Sequence, residues 1–176
     1  MTVKTADVII VGGGVHGSSA AYELAKAGVK TVLFEKEYLS SGGSGRSAAG
    51  LRQHFGTEVN LRMAQYNLSV FPTLEEELDT GMKLEFTQWG YMWVAYSDPC
   101  MEQLNKNVTL QKSLDIPSVM MTPAEIHDRW PYLNLDGILG AAFCGDDGHI
   151  NPQTLTLAYG HAARRLGAEI KTYTPV

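Results

Sequence analysis

The sequence predicts an α/β fold in which parallel strands alternate with helices, and three observations support this class. Val8–Val11 form a short apolar run, typical of a parallel strand buried on both faces. A glycine-rich turn and a segment with helical spacing follow at once, and Gly28 ends that segment. Thr31–Phe34 form a second apolar run. Residues 7–35 are therefore predicted to form a unit of strand, tight turn, helix and strand.

The turn between the first strand and the helix has the spacing G-x-G-x-x-G. Gly12 permits a tight turn, Gly14 lets the backbone approach a pyrophosphate, and Gly17 lets the helix pack closely on the strand. The helix presents unpaired N–H groups and the positive end of its dipole to such a group. We predict pyrophosphate contacts from Gly12, Gly14, Val15, His16 and Gly17.

Glu35 ends the second strand about 20 residues beyond the glycines, where a carboxylate binds the ribose hydroxyls of an adenine nucleotide. A carboxylate there repels a 2′-phosphate, which disfavours NADP. The helix between the strands has a small-residue face formed by Ala21, Leu24 and Ala25. Together these features predict a Rossmann-like dinucleotide-binding unit; the alternative is an ordinary crossover of an α/β protein.

Composition narrows the functional classes. The chain has 176 residues, enough for one sizeable core and a small second lobe. Its net charge of −5 argues against nucleic acid or an anionic membrane surface as a partner. No apolar run is long enough to span a membrane, and the N-terminus lacks a signal-peptide core. Cys100 and Cys144 lack C-x-x-C spacing, which predicts reduced thiols and a cytoplasmic location.

The segment 36–51 is a run of glycine, serine and alanine around Arg46. Small side chains let backbone N–H groups approach a ligand, and Arg46 can add a charge to a phosphate or carbonyl. A flexible surface linker is the alternative. We favour ligand contact, because a linker has no need of Ala48, Ala49 and Leu51.

The motifs GGGVHG, FEKE and SGGSGRSAAGLRQHFG resemble the N-terminal part of the D-amino-acid oxidase-like flavoprotein superfamily. The likeness is greatest to the sarcosine oxidase β-subunit and dye-linked proline dehydrogenase branch, with glycine oxidase and dimethylglycine dehydrogenase nearby. It implies FAD as the dinucleotide and a loop that passes over this cofactor. The cofactor contacts that the resemblance adds are Glu35, Lys36, Ser44, Gly45, Arg46, Ser47, Ala49, Gly50, Leu51 and Val176.

The resemblance also implies a catalytic role for Arg52, close to the flavin and the substrate carboxylate. Some members attach the flavin through a histidine of this loop, but here serine and glycine fill the loop up to Gly45, so we expect non-covalent FAD. His54 lies later and is expected to be a polar residue near the site. The reaction implied is oxidation of the C–N bond of a sarcosine-, proline- or glycine-like amino acid, with hydride transfer to flavin N5 and electrons passing to oxygen or a carrier.

Three other functions remain open: a 2-hydroxy-acid or glycerol-phosphate flavin dehydrogenase, a non-catalytic FAD-binding subunit, and an NAD-dependent dehydrogenase. The small-residue loop after Glu35 disfavours the last. Because superfamily members are much longer, we expect this chain to be the N-terminal part of a flavoprotein, inactive alone and prone to associate with itself or with another subunit.

The expected domains are an FAD-binding part (1–80), part of an α+β substrate-binding lobe (81–137) and a return to the FAD-binding part (138–176). Within the first, Glu58–Leu78 is predicted to be a helix that Pro72 kinks or interrupts, with a solvated run Glu75–Glu77. Its apolar stripe is expected to comprise Val59, Met63, Tyr66, Val70 and Leu74.

Residues 84–96 suggest a hairpin whose aromatics either pack on a core or line a substrate pocket. Residues 98–114 and 122–130 are expected to be helices, and Ile138–Cys144 a strand. Asp146, Asp147 and His149 are attributed to turn chemistry rather than to a metal site. Asn151 is expected to cap a helix that Gly167 ends, and residues 168–174 to add a parallel strand.

Overall fold

The computed structural model describes residues 5–176 and confirms the α/β class, with a parallel sheet at the predicted place. Three strands form that sheet in the order β1 (Val8–Val11), β2 (Thr31–Phe34) and β8 (Glu169–Lys171). A two-stranded sheet pairs β3 (Gly50–Leu51) with β7 (Gly148–His149). An antiparallel sheet has the order β4 (Tyr91–Ala95), β6 (Gly140–Cys144) and β5 (Ser118–Met121).

The chain divides into two compact units. Within the described residues, the first unit contains 5–49, 72–85 and 150–176, and the second contains 50–71 and 86–149. These boundaries differ from the expected domain limits. The assignment of cofactor and substrate roles to separate parts of the chain remains a prediction.

The first unit is built on close helix packing. Helix α1 (Val15–Lys26) packs against helix α5 (Pro152–Arg165), and small buried residues on both helices permit the approach. Asn151 caps α5 as predicted, since its side-chain oxygen accepts the N–H of Thr154 at 3.1 Å. The small buried residues are Ala21, Ala25, Ala158 and Ala162.

The expectation that β1 is buried on both faces is wrong for this chain. Ile9 and Val11 are 62% and 66% exposed, because β1 pairs only with β2 among the described strands and nothing described covers that face. By contrast, the central strand β2 buries Leu33 completely. Only the inner strand of this sheet therefore has the burial that its apolar sequence predicts.

Helix α2 (Glu58–Leu78) has the predicted bounds and contains Pro72. Its predicted apolar stripe is largely wrong, because Val59, Met63 and Tyr66 are each more than 60% exposed. Leu74 is buried as predicted, but the other buried positions follow a second stripe with the same helical spacing. Periodicity alone cannot choose between two such stripes on one helix. The buried side chains of α2 are Leu61, Ala64, Leu74 and Leu78.

The acidic run at the end of α2 is not simply a solvated face. The Glu77 carboxylate accepts the hydroxyl of Tyr22 at 2.9 Å and pairs with the Lys26 ammonium at 2.6 Å, which connects this end of α2 to α1. The Glu75 carboxylate accepts the N–H of Leu84 at 3.0 Å and pairs with the ammonium group of Lys83 at 2.6 Å. The run therefore fixes neighbouring backbone and side chains of the first unit.

The second unit has the antiparallel sheet at its centre. The predicted hairpin is wrong, since β4 pairs with β6, and residues 84–88 contribute only a bridge from Thr87 to His149. Strand β6 is buried along its whole length, and β5 was not predicted. Helices α3 (Asp98–Lys112) and α4 (Pro123–Arg129) agree with the predicted helices, and α4 has the expected capping box.

No helix within residues 5–176 is long and apolar enough to cross a membrane.

Candidate functional site

The glycine turn has the geometry that an anion-binding helix start requires. Gly12 has φ +104°, a left-handed conformation that disfavours other residues, and its N–H donates to the carbonyl of Phe34 at the end of β2 at 2.8 Å. Gly14 is the N-cap of α1 in an extended conformation and has no side chain to cap the helix. The first turn of α1 therefore receives no side-chain cap from its own N-cap residue.

Gly17 brings the helix into direct contact with the turn and with β1. A Cβ atom at this position would collide with the carbonyl oxygen of Gly12 and would lie 3.3 Å from Cγ2 of Ile10. Because the first obstacle is backbone, no side-chain rotation can relieve it. The steric role predicted for this glycine is therefore evident in the packing.

The loop after Glu35 returns to this helix start. Ser44 begins a short 3-10 turn, Ser44–Arg46, and its Oγ accepts the N–H of Val15 at 2.8 Å. Gly45 donates its N–H to the carbonyl of Ser40 at 3.1 Å, and a Cβ on Gly45 would collide with that carbonyl. The predicted loop and the predicted turn thus meet at the first turn of α1.

Two non-glycine residues of the loop have strained backbones. Ser40 has φ +72° and Ala49 has φ +62°, both in the left-handed region that costs an ordinary residue on the order of 1 kcal/mol or more. Ser40 Oγ and Ser18 Oγ, near the start of α1, are buried without a hydrogen-bond partner among the described residues. Strain and unsatisfied hydroxyls of this kind gather at functional sites.

Glu35 lies directly after β2, 8% exposed, and binds the turn through its carboxylate. Its Oε2 accepts the N–H of Gly13 at 2.6 Å, and its Oε1 accepts the N–H of Glu37 at 2.9 Å. Burial opposes the charge, but the N–H groups of Glu37 and Gly13, together with the Lys36 charge and the Ser41 hydroxyl, outweigh it, so the pKa of Glu35 lies below its usual value. A carboxylate has about four lone-pair sites, so some acceptor capacity remains after these two N–H groups and the Ser41 hydroxyl. Glu35 is therefore an ionised carboxylate with acceptor capacity for sugar hydroxyls.

The backbone after β2 is hydrogen-bonded to the residues that follow β8. The N–H of Thr174 donates to the Glu35 carbonyl, and the N–H of Tyr173 donates to the Glu37 carbonyl, both at 2.8 Å. Val176 lies two residues further on and is 86% exposed. Its predicted contact with the adenine stays a prediction.

In the second unit, Arg52 follows β3 and lies on an aromatic wall. The guanidinium carbon is 5.0 Å from the ring centroid of Tyr91 and 5.5 Å from that of Trp93, both on β4. Such cation–π contacts hold an arginine side chain in one orientation without neutralising its charge. Arg52 therefore keeps its charge and donors for an anionic group.

Arg52 also lines a pocket of about 280 Å³ whose walls lie entirely within the second unit. Strand β3 supplies Leu51 and the segment after it supplies Arg52 and Phe55. Helix α2 supplies Asn60, Met63 and Asn67. The walls combine apolar side chains with one cation and two amides, a combination typical of sites for small polar ligands. The asparagines were missed because neither belongs to a local motif.

A second cluster missed by the sequence analysis lies beside Arg52. Nδ1 of His54 is 2.7 Å from Oδ2 of Asp147, and both side chains are buried. The other oxygen of Asp147 accepts the N–H of Gln53 at 2.9 Å. The attribution of Asp147 to turn chemistry was incomplete, because its carboxylate binds Gln53 and His54, which lie 94 and 93 residues earlier in the chain. No cluster of metal-ligating side chains occurs within residues 5–176.

The predicted site residues fall into two groups by unit. Residues up to Ala49 lie in the first unit with Val176, whereas Gly50, Leu51 and Arg52 lie in the second. Hydrogen bonds join Val15 to Ser44 and Gly13 to Glu35. Gly13 was not among the predicted contacts, although its position between Gly12 and Gly14 in the glycine motif could have indicated a role. The exposed members, with nothing described that fixes a ligand role, are His16, Lys36, Arg46 and Ser47.

A family profile described as DAO, FAD dependent oxidoreductase, matches residues 7–176. The chain belongs to this family. The match covers both the glycine turn and the Arg52 segment, and it confirms the superfamily indicated by the sequence motifs. The residues of the first unit fit the cofactor that the family name implies. They provide a helix N-terminus, a glycine without a side chain at its N-cap, and a carboxylate at the end of β2.

Relatives within the family are longer than this chain. Mitochondrial dimethylglycine dehydrogenase of Rattus norvegicus is 36% identical over 173 residues, which cover 97% of this chain and 20% of that protein. Glycine oxidase of Geobacillus kaustophilus is 31% identical over 175 residues, 97% of this chain and 46% of that protein. The chain therefore spans between about a fifth and just under half of the curated relatives cited here.

Among solved structures, L-proline dehydrogenase from P. horikoshii superposes with a TM-score of 0.88 at 28% identity. The superposition covers 98% of this chain and 45% of that one. It supports the predicted Rossmann-like fold with a parallel sheet.

Proposed function

We propose that this chain is the part of a flavoenzyme that binds FAD non-covalently and orients an amino acid for oxidation at its C–N bond. The observation that carries the substrate class is Arg52, a cation on an aromatic wall at a pocket of about 280 Å³. Guanidinium groups bind carboxylates through two parallel hydrogen bonds, which fixes orientation as well as affinity. An arginine so placed favours a substrate with a carboxylate next to the reacting carbon.

The size of the pocket favours a small substrate. Ligand pockets for drug-sized molecules run from about 300 to 1,000 Å³, and this one lies at the lower limit. Asn60 and Asn67 offer amide donors and acceptors, while Leu51, Phe55 and Met63 supply apolar walls. A sarcosine-, glycine- or proline-like amino acid suits this combination. The relatives cited above are named for substrates of this kind: dimethylglycine, glycine and L-proline.

The cofactor role is assigned to the first unit. The α1 N-terminus and the Gly12–Gly17 turn would hold the diphosphate, and Glu35 would accept hydroxyls of the adenosine ribose. Bound FAD would supply the two-electron acceptor for the oxidation. Neither histidine nor cysteine occurs between Glu37 and Gln53, which supports non-covalent attachment. Acid precipitation should release the flavin, and flavin that stays on the precipitated protein would contradict this part.

The test of the proposed function is an anaerobic titration of the protein expressed from its complete reading frame. Sarcosine, proline and glycine are added separately and the flavin absorbance is followed. Bleaching by at least one of them is expected, with no response to glycerol 3-phosphate or lactate. Bleaching by the hydroxy compounds alone would overturn the amino-acid assignment, and no bleaching by either class would favour a non-catalytic subunit.

The remaining partners belong to the same proposal. Oxygen or a carrier takes the electrons, which aerobic peroxide formation would distinguish. Self-association or a second subunit is supported by exposed Ile9 and Val11, and a clean monomer in light scattering would count against it. A cytoplasmic location is proposed from the unpaired thiols of Cys100 and Cys144, and cell fractionation tests it.

A further inference from the structure

A buried histidine–aspartate pair anchors the segment that carries Arg52. Asp147 follows β6 and its side chain is fully buried, while the side chain of His54 is 4% exposed. The carboxylate receives one hydrogen bond from His54 Nδ1 and one from the backbone N–H of Gln53. Both donors lie within two residues of Arg52. The path of the chain immediately after Arg52 is thus fixed by the turn between β6 and β7.

The same histidine faces the two rings on which Arg52 lies. The His54 ring centroid is 6.3 Å from that of Tyr91 and 6.4 Å from that of Trp93. These two residues project to the same side of β4 because they are two positions apart in a strand, and their centroids are 6.2 Å apart. Arg52 and His54 therefore share one aromatic wall, and a change at either ring face affects both.

The second nitrogen of His54 indicates that the imidazole is not there for hydrogen bonding alone. Nε2 is buried and has no partner among the described residues. A buried polar atom without a partner is unfavourable, so a purely structural site would be better served by a side chain with one donor only. The imidazole binds Asp147 through Nδ1 and lies tilted against the rings of Tyr91 and Trp93, so it serves both the carboxylate and the aromatic wall.

We propose that His54 is a positioning residue for Arg52, held by Asp147. The pair sets the backbone after Arg52 and the aromatic wall beside it, so that the guanidinium is ordered before the substrate binds. Immobilising one long side chain corresponds to about a two- to tenfold change in affinity, which is the gain expected from such ordering. This inference rests on the proposed function, in which Arg52 binds a carboxylate.

The test is a double-mutant cycle read by ligand binding rather than by turnover. The flavin-loaded protein is titrated with 2-furoate and with its uncharged amide, 2-furamide, and the change in flavin absorbance gives the two dissociation constants. Their ratio measures the preference for a carboxylate. The variants are Arg52→Met, His54→Phe, His54→Asn and the Arg52→Met/His54→Phe double variant, with His127→Phe at an exposed position as the matched control.

We expect Arg52→Met to abolish the preference and His54→Phe to reduce it about two- to tenfold. His54→Asn keeps a donor for Asp147 and should restore part of the preference. In the Arg52→Met background, His54→Phe should reduce it no further, because its effect passes through Arg52. His127→Phe should leave the ratio at the wild-type value.

The results that would overturn the inference are an unchanged ratio in His54→Phe, or losses that add in the double variant. If Arg52→Met itself leaves the wild-type preference intact, the proposed carboxylate site fails and the positioning role falls with it. Thermal unfolding of every variant accompanies the titrations. A His54→Phe protein that unfolds at a lower temperature but keeps the wild-type ratio would show a structural role only and would refute the proposal.

Discussion

Glu35→Gln is the substitution that tests the first unit most stringently. The carboxylate accepts two backbone N–H groups, one on each oxygen. Glutamine keeps the shape but offers one acceptor oxygen, and its amide NH₂ group would face the second N–H donor. One hydrogen bond to a charged acceptor is lost, which costs about 1.5–3 kcal/mol in a buried setting. Because Gly13 belongs to the turn that we propose to hold the FAD diphosphate, FAD affinity should fall together with stability.

The measurement is urea unfolding of the FAD-free protein at several pH values, with Glu76→Gln as the control. Glu76 is exposed on α2, so its substitution removes the same charge without a buried contact. At pH 7 we expect Glu35→Gln to lose about 1.5–3 kcal/mol of unfolding free energy and Glu76→Gln to lose less than about 0.5 kcal/mol.

The stabilisation by the Glu35 carboxylate should decrease as the pH falls. The pKa of Glu35 in the folded chain is below its ordinary value of 4.5, so its contribution to stability is complete above pH 4.5. It is lost as the pH falls through the lower folded pKa. The difference between wild type and Glu35→Gln should therefore be constant from pH 7 to 5 and shrink below pH 4.5. Equal stability of the two glutamine variants at pH 7 would refute the role assigned to this carboxylate.

Three further predictions follow from the packing. Gly17→Ala should destabilise the protein by about 1–3 kcal/mol and weaken FAD binding, because the added Cβ collides with backbone. The control is Gly43→Ala, which should do neither, since Gly43 has open space around it and φ −57°. Calorimetry measures the stability and flavin fluorescence the FAD affinity of both variants. Burial raises the pKa of the Cys144 thiol to about 11. Ellman's reagent at pH 8 should therefore label half-buried Cys100 first and Cys144 only after unfolding. Rapid labelling of Cys144 in the native protein would contradict its burial. Asn151→Ala removes the cap of α5 and should cost about 1 kcal/mol in urea unfolding, and no loss would show that the cap contributes little.

Residues 7–35 could be predicted from the sequence because the determinants are local. Gly12 is required by its left-handed backbone, Gly17 by the carbonyl of Gly12 five positions before it, and Glu35 follows its strand directly. The capping residues Thr122 and Asn151 were predictable for the same reason, since a cap is set by residues up to three positions away.

The remaining errors involve choices that depend on distant parts of the chain. Two apolar stripes compete on α2, and only tertiary packing selects Leu61 over Val59. Strand β4 has a partner about 50 residues later rather than the neighbouring segment, so the local hairpin signal misled. Asp147 has the sequence context of a turn residue, and nothing local indicates His54 as its partner.

The most direct test of the central claim is the ratio of FMN and FAD dissociation constants, measured by flavin fluorescence on the FAD-free protein from the complete reading frame. FMN lacks the adenosine and the second phosphate, which are the groups assigned to the glycine turn and Glu35. The account predicts that FAD binds far more tightly than FMN and that Glu35→Gln reduces this preference. Equal affinity for the two flavins, or a preference untouched by Glu35→Gln, would contradict it.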